Sequence, residues 1–231
     1  MLKTLFSAAV LSAMAATPLA AQDIDADAPP AQRQMSDYAT IDYNLQEDRD
    51  NILFLDLSNG QRVAIRLMPD WAPHHVERVK TLAREGFYDG VIFHRVIDGF
   101  MAQTGDPTGT GQGGSELPDL KAEFNPMPHV RGTVSMARAQ SEDSANSQFF
   151  IVFYPRFSLD KKYTNFGRVI AGMDAVDAIV RGEPPSNPTR IVQASIAADN
   201  RPAPSPAQMA APANTDARTM SVDELNAPIG E

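Results

Sequence analysis

The chain has 231 residues, 43% of them hydrophobic, which suits one globular domain with extensions. Its formal net charge of −9 argues against the basic face that nucleic-acid binding requires, and no basic run offers a lipid-surface patch. The sequence contains no cysteine, so disulfides, thiol chemistry and a cysteine-linked lipid anchor are all excluded.

Residues 1–21 combine one early cation, Lys3, an apolar run from Leu5 to Ala16 and the small-residue ending Ala20-Ala21. That pattern predicts a secretory signal peptide cleaved after Ala21, rather than a buried helix, and the apolar run is short for a membrane span. The lack of cysteine, and of any Asn-x-Ser/Thr site apart from the proline-blocked Asn187-Pro188-Thr189, favours a bacterial periplasm. Residues 22–50 are polar and acidic and predict an extension whose first half is a disordered spacer. Ile41 and Tyr43 alternate and predict an added edge strand.

Residues 51–57 and 61–67 flank Ser58-Asn59-Gly60, a strong hairpin signal. Pro73 opens a helix that carries Val76, Val79, Leu82 and Ala83 on one face and ends at Gly86. His74 and His75, in its first turn, read as solvated residues, because no further ligands for a metal lie near them.

Residues 93–114 are chemically the richest stretch. They set Arg95 close to Phe100 and Met101, with Gln103 two residues further on. Asp98-Gly99 predicts a turn that folds the Arg95 strand beside the Met101 strand, and alternation points Met101 and Gln103 the same way. Arginine is rarely buried alone, so Arg95 is expected to face a ligand or a carboxylate at the lip of an apolar pocket. The following Gly109-x-Gly111-x-Gly113-Gly114 lacks the Lys-Ser/Thr and helix start of a phosphate loop. His94 is expected to hydrogen-bond within the fold.

Further strands are predicted at residues 134–137, 148–153, 166–171 and 190–197, with a second helix at 173–180. From residue 199 to 231 the composition turns to Ala and Pro and predicts a flexible tail, with a capping-box pattern at Ser221-Val222-Asp223-Glu224.

Three segments together resemble the cyclophilins, the peptidyl-prolyl cis-trans isomerases. They are Phe93-His94-Arg95-Val96-Ile97 running to Gly105-Asp106, then Gly132-Thr133-Val134-Ser135-Met136-Ala137-Arg138-Ala139 with Asn146-Ser147-Gln148-Phe149-Phe150-Ile151, and last Leu159 to Val169. The resemblance spans residues 51–198 and leaves 1–21, 22–50 and 199–231 outside it. It implies a mainly β protein, a closed eight-stranded antiparallel barrel capped by two α-helices. It also implies a monomer that acts on proline-containing polypeptides and needs no cofactor or metal. Arg95 then matches the catalytic position, and Phe100, Met101, Phe150 and Leu159 match the proline pocket. Gln103 would bind substrate backbone and orient Arg95, while Ala137, Arg138 and Gln148 line the groove for preceding residues.

Three positions depart from familiar relatives. Arg138 stands where many carry Asn, Ser158 where they carry Trp, and Tyr163, also a groove residue, where they carry His. These changes bear on inhibitor binding and substrate preference rather than on chemistry at Arg95. The expected activity is isomerisation of X-Pro bonds in exported proteins, assisting their folding. A holdase that binds proline segments without turnover, and a structural role for the Ala/Pro tail, are the competing readings.

Overall fold

In the computed structural model of the chain, residues 38–210 are described. The signal segment, residues 22–37 and the capping box at Ser221-Val222-Asp223-Glu224 lie outside them.

β1 (Ile52–Leu57) and β2 (Arg62–Leu67) form the hairpin expected around Asn59-Gly60. Gly60 takes φ +84°, the left-handed backbone that this turn requires and that glycine adopts freely. β3 (Arg95–Ile97) and β4 (Met101–Thr104) form a second hairpin about Asp98-Gly99, followed by β5 (Thr133–Met136), β6 (Phe149–Val152), β7 (Asn165–Ala171) and β8 (Ile191–Ile196). All pairings are antiparallel, and the eight strands run β3-β4-β6-β5-β7-β2-β1-β8 across one curled sheet.

No ladder joins β3 to β8 among the described residues; isolated bridges at Ile92–Arg190 and Val96–Gly182 lie at that seam. The segment facing β3 contains Pro184 and Pro185, which have no N–H to donate, so a continuous ladder cannot form there.

α1 (Pro73–Arg84) packs against β8, and α2 (Met173–Asp177) against β2. The N-cap Ala72 has no side chain to cap α1. Glu123 does so from a distant loop, accepting the backbone N–H groups of His74 at 3.1 Å and His75 at 3.2 Å, and binding both Nδ1 atoms at 2.6 and 2.7 Å. His75 is therefore fully buried, not solvated as its place in the first turn implied. Burial raises the Glu123 carboxyl, but the hydrogen bonds from His75 and His74 outweigh it and hold the group at about 2.

α2 ends short of the predicted 180, and the carbonyls of Asp177, its last residue, and of Ile179 accept from the Arg181 guanidinium in place of further helical N–H groups. A third helix, α3 (Pro206–Ala210), opens the Ala/Pro stretch. Ser205 and Gln208 cap it reciprocally, the Gln208 side chain accepting from the Ser205 N–H at 2.8 Å and the Gln208 N–H donating to the Ser205 hydroxyl at 3.3 Å.

The edge strand expected at Ile41 and Tyr43 does not form. That segment is instead wrapped around Arg66 of β2, which is 2% exposed. Its guanidinium donates to the backbone carbonyls of Asp42, Asn44, Glu47 and Asp48 at 2.7–3.0 Å. Trp71 Nε1 also reaches the Ala39 carbonyl at 3.0 Å. Hydrogen bonding to a buried cation holds the segment down, which a count of apolar residues cannot reveal.

Candidate active site

Strand alternation divides β3 to β6 into two faces. Val96, Ala102, Val134, Met136, Phe149 and Ile151 point into the main core. Met101, Phe150 and Val152 point the other way and form a separate buried cluster with Ile97, Phe100, Ala137, Leu159 and Tyr163. Six of the ten residues picked out from sequence, Phe100, Met101, Ala137, Phe150, Leu159 and Tyr163, thus share one apolar wall outside the core.

The polar members line up across the same strands. Arg95 pairs with Gln103 across the β3–β4 hairpin, and Gln103 pairs in turn with Phe150 on β6. Adjacent strands lie about 4.8 Å apart, so Arg95 and the Phe150 ring sit roughly 10 Å apart at their backbones, within the combined reach of their side chains. Gln103 Nε2 donates to Gln148 Oε1 at 2.9 Å, and Gln148 Nε2 donates to the carbonyls of Gly111 at 3.2 Å and Gly113 at 2.7 Å. A cleft of about 370 Å³ adjoins this row, lined by Gln103, Gly113, Ala137, Arg138, Asn146 and Gln148 among others. Every residue singled out from sequence therefore lies on the wall, in the row or along the cleft.

No hydrogen bond joins Gln103 to Arg95: Gln103 Nε2 donates to Gln148, and Arg95 Nε donates to Glu183 Oε2 at 2.8 Å. The rim of the wall is cationic in an otherwise acidic chain. Arg156 lies 5.2 Å from the Phe100 ring centre and Arg138 lies 4.8 Å from that of Tyr163. Arg138 also donates to the Lys162, Ala139 and Gln140 carbonyls, so its side chain is tied to the rim.

The glycine-rich loop closes around its own anion. Thr108, Gly111 and Gly113 aim their N–H groups at the buried Asp106 carboxylate at 2.8, 2.6 and 3.1 Å. Those donors are unavailable to a phosphate. A Cβ at Gly113 would lie 2.2 Å from Asp106 Oδ1, so only glycine fits there. Burial would raise the Asp106 carboxyl, but the hydrogen bonds from Thr108, Gly113 and Gly111 outweigh it and hold it below its ordinary range.

Sequence reading missed two residues behind and beside the site, Glu183 and His129. The His129 ring stacks 6.4 Å from the Phe150 ring, with Nδ1 2.8 Å from Asp160 Oδ1 and Nε2 3.0 Å from Ser135 Oγ. Nothing in local spacing marks it, since Asp160 is 31 residues away. His94 departs from expectation: it is buried under the glycine-rich loop, and neither ring nitrogen has a hydrogen-bond partner among the described residues.

Burial lowers the affinity of both His94 and His129 for a proton; Arg95 adds to this at His94, while the carboxylates Asp106 and Asp160 oppose it. The unfolded chain regains the ordinary value of 6.5 and so binds more protons below that pH. This contribution to stability is complete above pH 6.5 and is lost as pH falls below it. Urea midpoints are expected to drop from about pH 7 to pH 5, and His129→Gln should flatten part of that slope. Parallel slopes for the two proteins would show that His129 does not contribute.

Comparison with known proteins points the same way. Residues 54–196 match the family model for cyclophilin type peptidyl-prolyl cis-trans isomerase/CLD. A Brucella suis protein named as a probable peptidyl-prolyl cis-trans isomerase is 49% identical over 170 residues, covering 67% of this chain and 86% of that relative. Peptidyl-prolyl cis-trans isomerase B of Bacillus subtilis is 42% identical over 128 residues, covering 55% of this chain and 89% of the relative. Among solved structures, a cyclophilin from Hirschia baltica matches with TM-score 0.62 and 30% identity, covering 67% of this chain and 77% of that one. A cyclophilin type isomerase from Cryptosporidium parvum, crystallised in the presence of the dipeptide Ala-Pro, matches with TM-score 0.58 and 28% identity, covering 63% of this chain and 98% of that one. With the family model spanning residues 54–196, and the Arg95–Gln103–Phe150 row and its apolar wall inside that span, this chain belongs to the cyclophilin-type peptidyl-prolyl cis-trans isomerases.

Proposed function

We propose that the protein is a periplasmic prolyl isomerase, released by cleavage after Ala21, that speeds X-Pro rotation in exported proteins and so assists their folding. The observation that carries the catalytic part is the Arg95–Gln103–Phe150 row beside an apolar wall that the core does not use. The export part rests on the signal pattern of residues 1–21 and the absence of cysteine.

Resonance makes the C–N bond of an X-Pro peptide partly double, so its uncatalysed rotation takes tens to hundreds of seconds. No proton needs to move and no bond needs to break. At the top of the barrier the amide is twisted and its nitrogen regains a lone pair, which a planar amide lacks. An Arg95 Nη–H can donate to that nitrogen and stabilise the twisted form selectively. Phe100, Met101, Phe150 and Leu159 would grip the proline ring and exclude water, and so strengthen the donation. Gln103 and Gln148 would hold substrate backbone, with Ala137, Arg138 and Tyr163 along the groove for the residues before proline. The domain organisation proposed is a signal at 1–21, an extension at 22–50, the isomerase domain at 51–198 and a tail at 199–231. The isomerase domain is proposed to act as a monomer, with the curled sheet completed as a closed barrel by the bridges at Ile92 and Val96 and the helices at its ends.

NMR exchange or a protease-coupled assay on an X-Pro peptide tests the activity directly, and a rate no faster than the free peptide's would reject it. Expression of the full chain in a Gram-negative host, with N-terminal sequencing of the periplasmic fraction, tests export. A mature chain starting at Gln22 is the expected result, and an uncleaved cytoplasmic product would refute it.

Ser158 adds a prediction about inhibition. It is an exposed residue in the turn Phe157–Leu159, where an indole in familiar relatives donates to cyclosporin and covers part of the ring. Loss of one hydrogen bond and of the apolar contact together weakens binding by about 2–4 kcal/mol. Ser158→Trp is therefore expected to tighten cyclosporin binding by roughly tens-fold to several-hundred-fold while peptide turnover changes little. Titration that finds low-nanomolar binding by the unaltered chain, or no gain with Trp, would disprove it.

A further inference from the structure

We infer that Glu183 is a positioning residue of this site: its carboxylate, directly across from Arg95, holds the guanidinium by Nε and aims the Nη groups at the bound prolyl amide. This rests on the isomerase reading above.

The placement is a consequence of strand register. Val96 and Gly182 exchange backbone hydrogen bonds, N to O at 2.8 Å one way and 2.9 Å the other. In an antiparallel bridge the next residue out on one segment faces the preceding residue on the other, so Glu183 faces Arg95 on the side opposite Gln103. The chain leading into Glu183 is anchored. Before it, the Arg181 guanidinium lies 4.2 Å from the Phe153 ring centre and donates to the carbonyls of Asp177 and Ile179. Gly182 itself takes φ +144°, and a Cβ there would come within 2.5 Å of Pro185 Cα, so this backbone path is open only to glycine.

The pairing uses one nitrogen of the guanidinium. Arg95 Nε donates to Glu183 Oε2 at 2.8 Å, while Nη1 and Nη2 make no hydrogen bond to any described residue. A guanidinium is planar, so fixing the Nε–H direction orients the whole fork and leaves both Nη groups free for a ligand. Gln103, the other neighbour of Arg95, donates through Nε2 to Gln148 and makes no hydrogen bond to Arg95. Glu183 is thus the one side chain among the described residues that holds Arg95 by a hydrogen bond.

A purely stabilising role is disfavoured by exposure. Arg95 and Glu183 are 41% and 51% exposed, and pairs that wet contribute little to folding. The alignment of a donor that acts only in the transition state, by contrast, is sensitive to displacements of an ångström.

The test compares Glu183→Ala and Glu183→Gln in the full chain, each with Arg95 present and in an Arg95→Ala background. NMR line-shape analysis of an X-Pro peptide separates kcat from KM, and thermal unfolding runs alongside. Glu183→Ala should lower kcat by about five- to tenfold and leave KM within about twofold and the melting temperature unchanged. Glu183→Gln should recover at least about half of the loss, because the amide oxygen accepts the same Nε–H. In the Arg95→Ala background, Glu183→Ala should have no further effect. An unchanged kcat, a loss confined to KM, no recovery with Gln, or an equal loss in both backgrounds would overturn the assignment. Full activity in Arg95→Ala alone would instead remove the reading on which it rests, and that single variant reveals it independently of Glu183.

Discussion

Arg95→Ala is expected to lower kcat/KM for an X-Pro peptide by roughly 100-fold, equivalent to about 3 kcal/mol of lost transition-state stabilisation. The loss should fall on kcat, because the donated hydrogen bond exists only when the amide is twisted and its nitrogen can accept. Folding should survive the change. Arg95 is 41% exposed and its ion pair with Glu183 is half in water, so its removal leaves no buried group unpaired among the described residues. The measurement is an exchange or protease-coupled assay on a variant whose unfolding curve matches that of the unaltered chain. Turnover within threefold of the starting value in such a variant would exclude Arg95 as the donor.

The largest effect on stability is expected at Arg66, far from the site in strand order. Its guanidinium is 2% exposed and satisfies the carbonyls of Asp42, Asn44, Glu47 and Asp48. Arg66→Leu leaves the Asp42 and Glu47 carbonyls without a donor, and those of Asn44 and Asp48 with only the Glu47 and Asn51 N–H groups, until the segment loosens and water reaches them. Breaking a buried, charge-assisted network of this kind costs about 3 kcal/mol, which for a domain of this size is a fall in melting temperature of roughly 6–12 °C. Hydrogen exchange should show residues 42–48 losing protection, while kcat/KM per folded molecule stays within about twofold, because β2 lies four strands from β4 in the sheet order. A shift below about 2 °C would mean that the extension is held by something else. The same network bears on where the chain can be cut: a protein starting at residue 38 keeps these acceptors and the Ala39 partner of Trp71, and it should be more stable than one starting at residue 51.

Much of the site is legible in the sequence, for a local reason. Within a strand the side-chain period is two, so Met101 and Gln103, or Phe150 and Val152, must share a face wherever the strand ends up. The turns at Asn59-Gly60 and Asp98-Gly99 are also local, because φ is positive at Gly60 and Gly99 and glycine adopts that conformation without strain. The order of motifs then carried Arg95, Phe100, Met101, Gln103, Phe150 and Leu159 together as one resemblance. Even the Ser205–Gln208 cap was written in the sequence, although the Ala/Pro composition around it pointed to a flexible tail.

The tertiary structure decided what depends on residues far apart in the chain. His129 meets Asp160 across 31 positions, Arg95 meets Glu183 across 88, and Glu123 caps a helix 48 and 49 positions away. No period or spacing encodes such partners, since they follow from strand order and loop paths and not from neighbouring residues. Arg66 is the clearest case. In sequence it is an ordinary outward-facing charge in an alternating strand, and only the folded chain brings residues 42–48 over it and turns a polar extension into its solvent.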